Sequence, residues 1–120
     1  MLNVVFYFQV HQPYRLKHLN VLDIGKNTDY FDDRLNAQVM RKVAEKCYLP
    51  TNKLLLELIQ KLEGRFKVAY SITGTAIEQF KAWSPETLDS FKALVDTGCV
   101  ELLGETYYHS LAFLYDTNEF

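Results

Sequence analysis

The chain has 120 residues, 48% hydrophobic and 23% charged, which suits one ordinary globular core. Its formal net charge is -2, from 13 basic and 15 acidic residues, so neither nucleic acid nor an anionic membrane is an expected partner. No apolar run is long enough to cross a bilayer, and Met1-Leu2-Asn3 does not start a leader pattern, so a cytoplasmic protein is expected.

The first element is Val4 to Val10, a continuous run of β-branched and aromatic residues. Such a run predicts a strand buried on both faces, as in a parallel sheet. Pro13 stops it, because proline fixes φ and has no backbone donor. His11 and Gln12 are left at the strand's C-terminal end, where α/β folds bind ligands.

A long irregular stretch follows, Tyr14 to Asp33, carrying Lys17, His18, Asp23, Gly25, Asn27, Asp29, Asp32 and Asp33. Loops of this length are usually functional or mobile. Tyr30-Phe31 is expected to pin it to the body, and Asp32 or Asp33 to cap the next helix. Leu35, Val39, Val43 and Cys47 recur every four residues, which predicts a helix over Leu35 to Cys47. Pro50 is expected to break it and open a second helix, whose buried stripe is Leu54, Leu55, Leu58, Ile59 and Leu62. Gly64 then closes that helix as a left-handed cap.

Phe66 to Ile72 alternates apolar and smaller or polar residues and predicts a second strand. Thr73-Gly74-Thr75 turns the chain into a short helix, Ala76 to Trp83. Ser84-Pro85-Glu86 is a second helix start, with Ser84 as N-cap. Leu88, Phe91, Leu94 and Val95 form that helix's apolar face, and Gly98 ends it. Val100 to Leu103 predicts a third strand, and Ser110 to Phe120 the start of a further helix or loop. Cys47 and Cys99 have no metal-binding or redox spacing, and both read as small buried hydrophobes.

Strands alternating with helices specify an α/β fold of parallel βαβ units with right-handed crossovers, over 1–120 as a single domain. In such a sheet the strand ends lie on one side. His11 and Gln12, Ser71 and Thr73, and Glu101 with Glu105 and His109 should therefore converge. Together they offer donors and acceptors suited to a polyol or sugar. Each also has a plainer reading. A histidine beside proline is often a structural hydrogen-bonder, and Glu101 on an edge strand is served by facing water. His109 fits a loop or capping role, Asp29, Asp32 and Asp33 a solvated loop, and Trp83 helix packing. His11 and His18 stand seven apart across Pro13, which is not a metal-ligand spacing. No metal and no cofactor is expected, and there is no Gly-rich phosphate cradle or nucleophile elbow.

The opening FYFQVHQPYRL resembles the first signature region of glycoside hydrolase family 57, which carries HQP after an apolar strand. Gly98-Cys99-Val100-Glu101-Leu102 resembles that family's second region, and its continuation LLGETYYHSLA is also similar. The resemblance implies the first part of a distorted (β/α)7 barrel acting on α-glucans, as α-amylases and 4-α-glucanotransferases do. Family members retain anomeric configuration with a nucleophilic Glu and an acid/base Asp; two carboxyl groups about 5 Å apart serve that chemistry. Carried over, His11 and Glu101 line the subsite beside the cleaved bond, with Gln12 and His109 supporting them. The family's nucleophile and acid/base regions have no counterpart here, so no catalytic residue is assigned. An α-glucan or maltooligosaccharide is the expected ligand, and the chain itself is expected to be truncated and inactive. The alternatives are a non-catalytic glucan-binding or assembly module, and a metal-dependent sugar deacetylase or mannosidase-like relative.

Overall fold

A computed structural model of the chain describes residues 2, 4–26, 29–116 and 118. The start at Met1 and Asn3, the loop residue Asn27 and the last residues of the final stretch lie outside the described residues. Three strands, β1 (Tyr7–Val10), β2 (Val68–Ile72) and β3 (Val100–Leu103), form a parallel sheet in the order β1-β2-β3. Between β1 and β2 run α1 (Asp33–Val43) and α2 (Leu49–Lys61); between β2 and β3 run α3 (Gly74–Trp83) and α4 (Pro85–Asp96). The predicted alternation is therefore observed, and it is compatible with the start of a barrel.

Local chemistry accounts for the boundaries. Asp32 caps α1 by accepting from the Leu35 N–H at 2.9 Å. Thr73 caps α3, accepting from the Ala76 N–H at 3.3 Å. Ser84 precedes Pro85 as predicted, although its hydroxyl is engaged with Glu86 and Thr87 rather than with the backbone. Gly64 and Gly98 both sit at positive φ just past helix ends, at 74° and 70°.

Pro50 does not break the first helix. Residues Ala44–Tyr48 form a π-helical turn that joins α1 directly to α2, with Pro50 in the first turn of the latter. The ladder takes wide π spacing here, with the Leu49 N–H donating to the Ala44 carbonyl, and Pro50, which has no N–H to donate, follows this widened turn without a break. The widened turn also overturns the buried placement of Cys47, which is exposed, whereas Cys99 is buried.

The helices cover one face of the sheet. Met40, Leu55, Ile59, Val68, Tyr70, Phe80, Phe91 and Leu94 form the core there. Tyr70 and Phe80 both pack on Phe91, with ring centroids 5.4 and 5.7 Å away. The predicted two-sided burial of Val4 to Val10 is not observed. The strand begins only at Tyr7, Val4 and Val5 are 69% and 81% exposed, and Val10 alone in β1 is buried. Two-sided burial needs a layer on each face and a neighbour on each edge. Here β1 is an edge strand, and β2 holds the central place.

The long loop is pinned by backbone pairing at the predicted place. Leu16 bridges Phe31, the Lys17 N–H donates to the Tyr30 carbonyl at 2.8 Å, and the Asp32 N–H to the Arg15 carbonyl at 2.9 Å. Fully buried Asn36 reinforces it, accepting from the Arg15 N–H at 2.9 Å. The final stretch carries a 3-10 turn, Ala112–Leu114.

Candidate functional site

Side chains alternate across a strand, which divides the sheet into two chemically different faces. Phe8 meets Tyr70 on the helix-covered face, ring centroids 5.3 Å apart. Tyr7 and Gln9 therefore point to the uncovered face, where the Tyr7 hydroxyl lies 2.7 Å from Ser71 Oγ. Ala69 pairs with Glu101 and Ser71 with Leu103, so Glu101 and Leu103 share this face. The same register carried past the strand ends sets His11, Thr73 and Glu105 level with one another.

These groups form a connected polar cluster. His11 Nδ1 lies 3.1 Å from Thr73 Oγ1, and the His11 ring lies 4.7 Å from that of His109. Glu105 Oε1 receives Gln9 Nε2 at 2.7 Å and His109 Nδ1 at 2.5 Å. Burial by itself would raise the Glu105 carboxyl pKa. Hydrogen bonds from Gln9, Ser71 and His109, with the charge of His109, outweigh burial and lower it. Ser71 thus favours the ionised form, yet Glu105 Oε2 is buried without a partner in good hydrogen-bond geometry. An ionised carboxylate only accepts, so His109 Nδ1 must carry the proton in their contact. Desolvation, and then the neighbouring His109, lower the His11 pKa, with Glu105 opposing. The two imidazoles are tilted by 34°, and burial together with this neighbour disfavours the charged form of His11.

His109 has a positive φ of 55°, uncommon for a side chain other than glycine. Its N–H donates to the Thr106 carbonyl at 3.1 Å, and the Ser110 N–H to Thr106 Oγ1 at 2.8 Å. A tight turn thus aims the ring back at His11. Beside it is a hollow of about 280 Å³ lined by Tyr7, Ser71, Glu105, Thr106, His109 and Phe113, among others. That is near the lower bound for a small-molecule site.

The expected convergence is met in part. His11, Thr73, Glu105 and His109 come together, and Ser71 lies just below them. Gln12 turns away, donating to the Tyr48 hydroxyl at 3.0 Å, while its carbonyl accepts from Gln79 Nε2 at 2.6 Å. Glu101 is not at the C-terminal ends. It stands level with Tyr7, four residues below His11, or roughly 13 Å at about 3.3 Å per residue. There it lines a larger hollow of about 560 Å³ with Val4, Val5, Arg65 and Lys67. That hollow is more spacious, but the linked titratable groups all lie at the other end. Gln9 is not among the residues expected from the sequence, although it is the one amide side chain in VVFYFQV. Among the described residues no three of His, Cys, Asp and Glu are grouped to hold a metal ion. No helix among them is long and apolar enough to cross a membrane.

Comparison with known proteins places the chain in a family. The sequence profile of glycosyl hydrolase family 57 matches residues 5–120. A protein of Methanocaldococcus jannaschii named "Putative alpha-amylase" is 50% identical over 117 residues. That alignment covers 97% of this chain and 25% of the relative, so the chain spans about a quarter of the relative's length. No solved structure matches.

Proposed function

The chain belongs to glycosyl hydrolase family 57, and from that premise we propose that it forms the sugar-facing wall of an α-glucan-active, α-amylase-like glycosidase. The observation that carries this is the Gln9–Glu105–His109–His11 cluster. It lies at the C-terminal ends of parallel strands, on the face that no helix covers. Glucose hydroxyls both donate and accept. Glu105 and Gln9 supply acceptors, and the imidazoles supply a donor or an acceptor according to tautomer.

His11 and His109 keep the substrate-binding roles expected of them. Glu105 joins them as the carboxylate closest to hand. Glu101, on the same face, would contact a sugar lying deeper along the strands. Gln12 would act through Tyr48 and the His11 backbone rather than on the sugar directly. No counterpart of the family's nucleophile and acid/base signatures is read in these 120 residues, and binding without turnover is expected of the chain alone. Its two unpaired cysteines suit a reducing, cytoplasmic setting.

Calorimetric titration with maltohexaose tests this, with cellohexaose as the β-linked control. Binding of the α-linked sugar, weakened about tenfold or more by Glu105→Gln, is expected. Equal heats for both sugars, or an unaffected Glu105→Gln variant, would refute the assignment.

A further inference from the structure

We propose that Glu78 is a positioning residue: it ties together the two loops that carry His11 and His109 and so sets the spacing of the two imidazoles. The inference rests on reading that cluster as the sugar-facing site, but its geometry stands on separate observations. Glu78 lies on α3, one turn after Gly74. The Tyr107 hydroxyl donates to its Oε1 at 2.6 Å, and the Tyr14 hydroxyl donates to its Oε2 at 3.2 Å. Tyr14 is three residues past His11, and Tyr107 is two residues before His109. One carboxylate therefore holds both loops, each by its own oxygen.

The fit around this carboxylate is close. The Tyr107 ring lies flat against Gly74, where an added Cβ would come within 2.2 Å of the ring. The Thr75 N–H donates to the Tyr107 carbonyl at 3.2 Å, which fixes the same loop to the first turn of α3. Only glycine at position 74 leaves Tyr107 room to reach Glu78. On the other side Tyr14 packs on Phe31 and Trp83, with ring centroids 5.0 and 6.3 Å away, which fixes the direction of its hydroxyl. The bond to Glu78, and then burial, push the Tyr107 hydroxyl up to about 12, while burial and then Glu78 raise that of Tyr14. Both phenols stay protonated donors across the neutral range. Both hydroxyls are engaged with Glu78, so Glu78 acts on the site through the two loops.

The test uses the full chain and reads the ring contact directly by NMR. In the parent protein a cross-peak between the His11 and His109 ring protons is expected, with a His11 midpoint below its ordinary value. Glu78→Ala is expected to remove the cross-peak and to move the His11 midpoint up toward about 6.5. Glu78→Gln is expected to restore both, since its carbonyl accepts from one phenol and its amide donates to the other. If Glu78→Ala does not fold, the pair Tyr14→Phe and Tyr107→Phe removes the same two bonds and keeps the carboxylate. Maltohexaose affinity should fall about tenfold with the cross-peak, as a misplaced binding group predicts. Parent-like cross-peaks and midpoints in both the Ala and double-Phe variants would overturn the proposal. So would a Gln variant that behaves like Ala, because the charge would then be acting instead of the tie. A parent protein that binds no maltohexaose overturns the sugar reading alone, and the NMR arms still decide the role of Glu78.

Discussion

His11 and Glu105 shift in the same direction for different reasons, and this shapes how stability depends on pH. Desolvation, and then His109, lower the pKa of His11; in Glu105 hydrogen bonds overcome burial to lower it. In both cases the unfolded chain binds a proton more readily, so stability rises with pH across each window. For Glu105 the contribution is complete above about 4.3 and is lost as pH falls through its lower folded pKa. For His11 the window lies just under about 6.5 and closes above it. Acidification from pH 7 should therefore lower Tm in two stages, a shallow one from His11 and a later one from Glu105. His11→Gln should erase the first stage and leave the second. A thermal-melt series with one late stage in the parent protein would show that burial and His109 do not lower the His11 pKa in the folded chain.

The layer of helices shows where sequence pattern suffices and where it does not. Phe80 is fully buried and touches Tyr48 and Phe91, with ring centroids 5.4 and 5.7 Å away. Phe80→Ala removes a ring from the junction of α2, α3 and α4, and should cost about 3–5 kcal/mol in urea denaturation. A loss below about 1 kcal/mol would mean that the junction closes over the gap. Periodicity located all four helices and all three strands. It locates them because α3 and α4 each bury a single stripe, and β2 alternates apolar residues with smaller or polar ones, both recorded in residue spacing. It misjudged β1, because a continuous apolar run looks the same whether it lies at the centre of a sheet or at an edge. It misjudged Pro50, because a π turn keeps the apolar stripe while shifting its phase. The candidate cluster was legible where residues follow strand ends, since His11, Thr73 and His109 converge as strand order implies. Glu101 is expected there both as a carboxylate inside the third strand and from the motif, yet the register sets it level with Tyr7. Its position in β3, one residue after the start, already placed it far from the strand's C-terminal end.

The molecule as a whole is more open than its length requires. Its radius of gyration is 17.7 Å and its extents are 60 × 34 × 20 Å. A compact domain of this length would have a radius of about 14 Å. Its accessible surface is 8811 Å², about a third more than the roughly 6,700 Å² of a compact monomer of this mass. The excess has an identifiable source: among the described residues the sheet has helices on one face only, and β1 and β3 pair on one side only. Val5 beside β1 is 81% exposed, and Leu102 and Leu103 in β3 are 54% and 43% exposed. Unpaired donors and acceptors next to apolar side chains are a template for adding another strand. The isolated chain should therefore self-associate, and the effect should be hydrophobic in origin, surviving added salt that screens exposed charges. Sedimentation equilibrium should show mass rising with concentration. Val5→Lys, which sets a charge on the β1 side, should shift that rise to higher concentration without altering the His11–His109 cross-peak. A parent chain that stays monomeric up to about 1 mM, where association is worth only about 4 kcal/mol, would show that the open face and edges are innocuous.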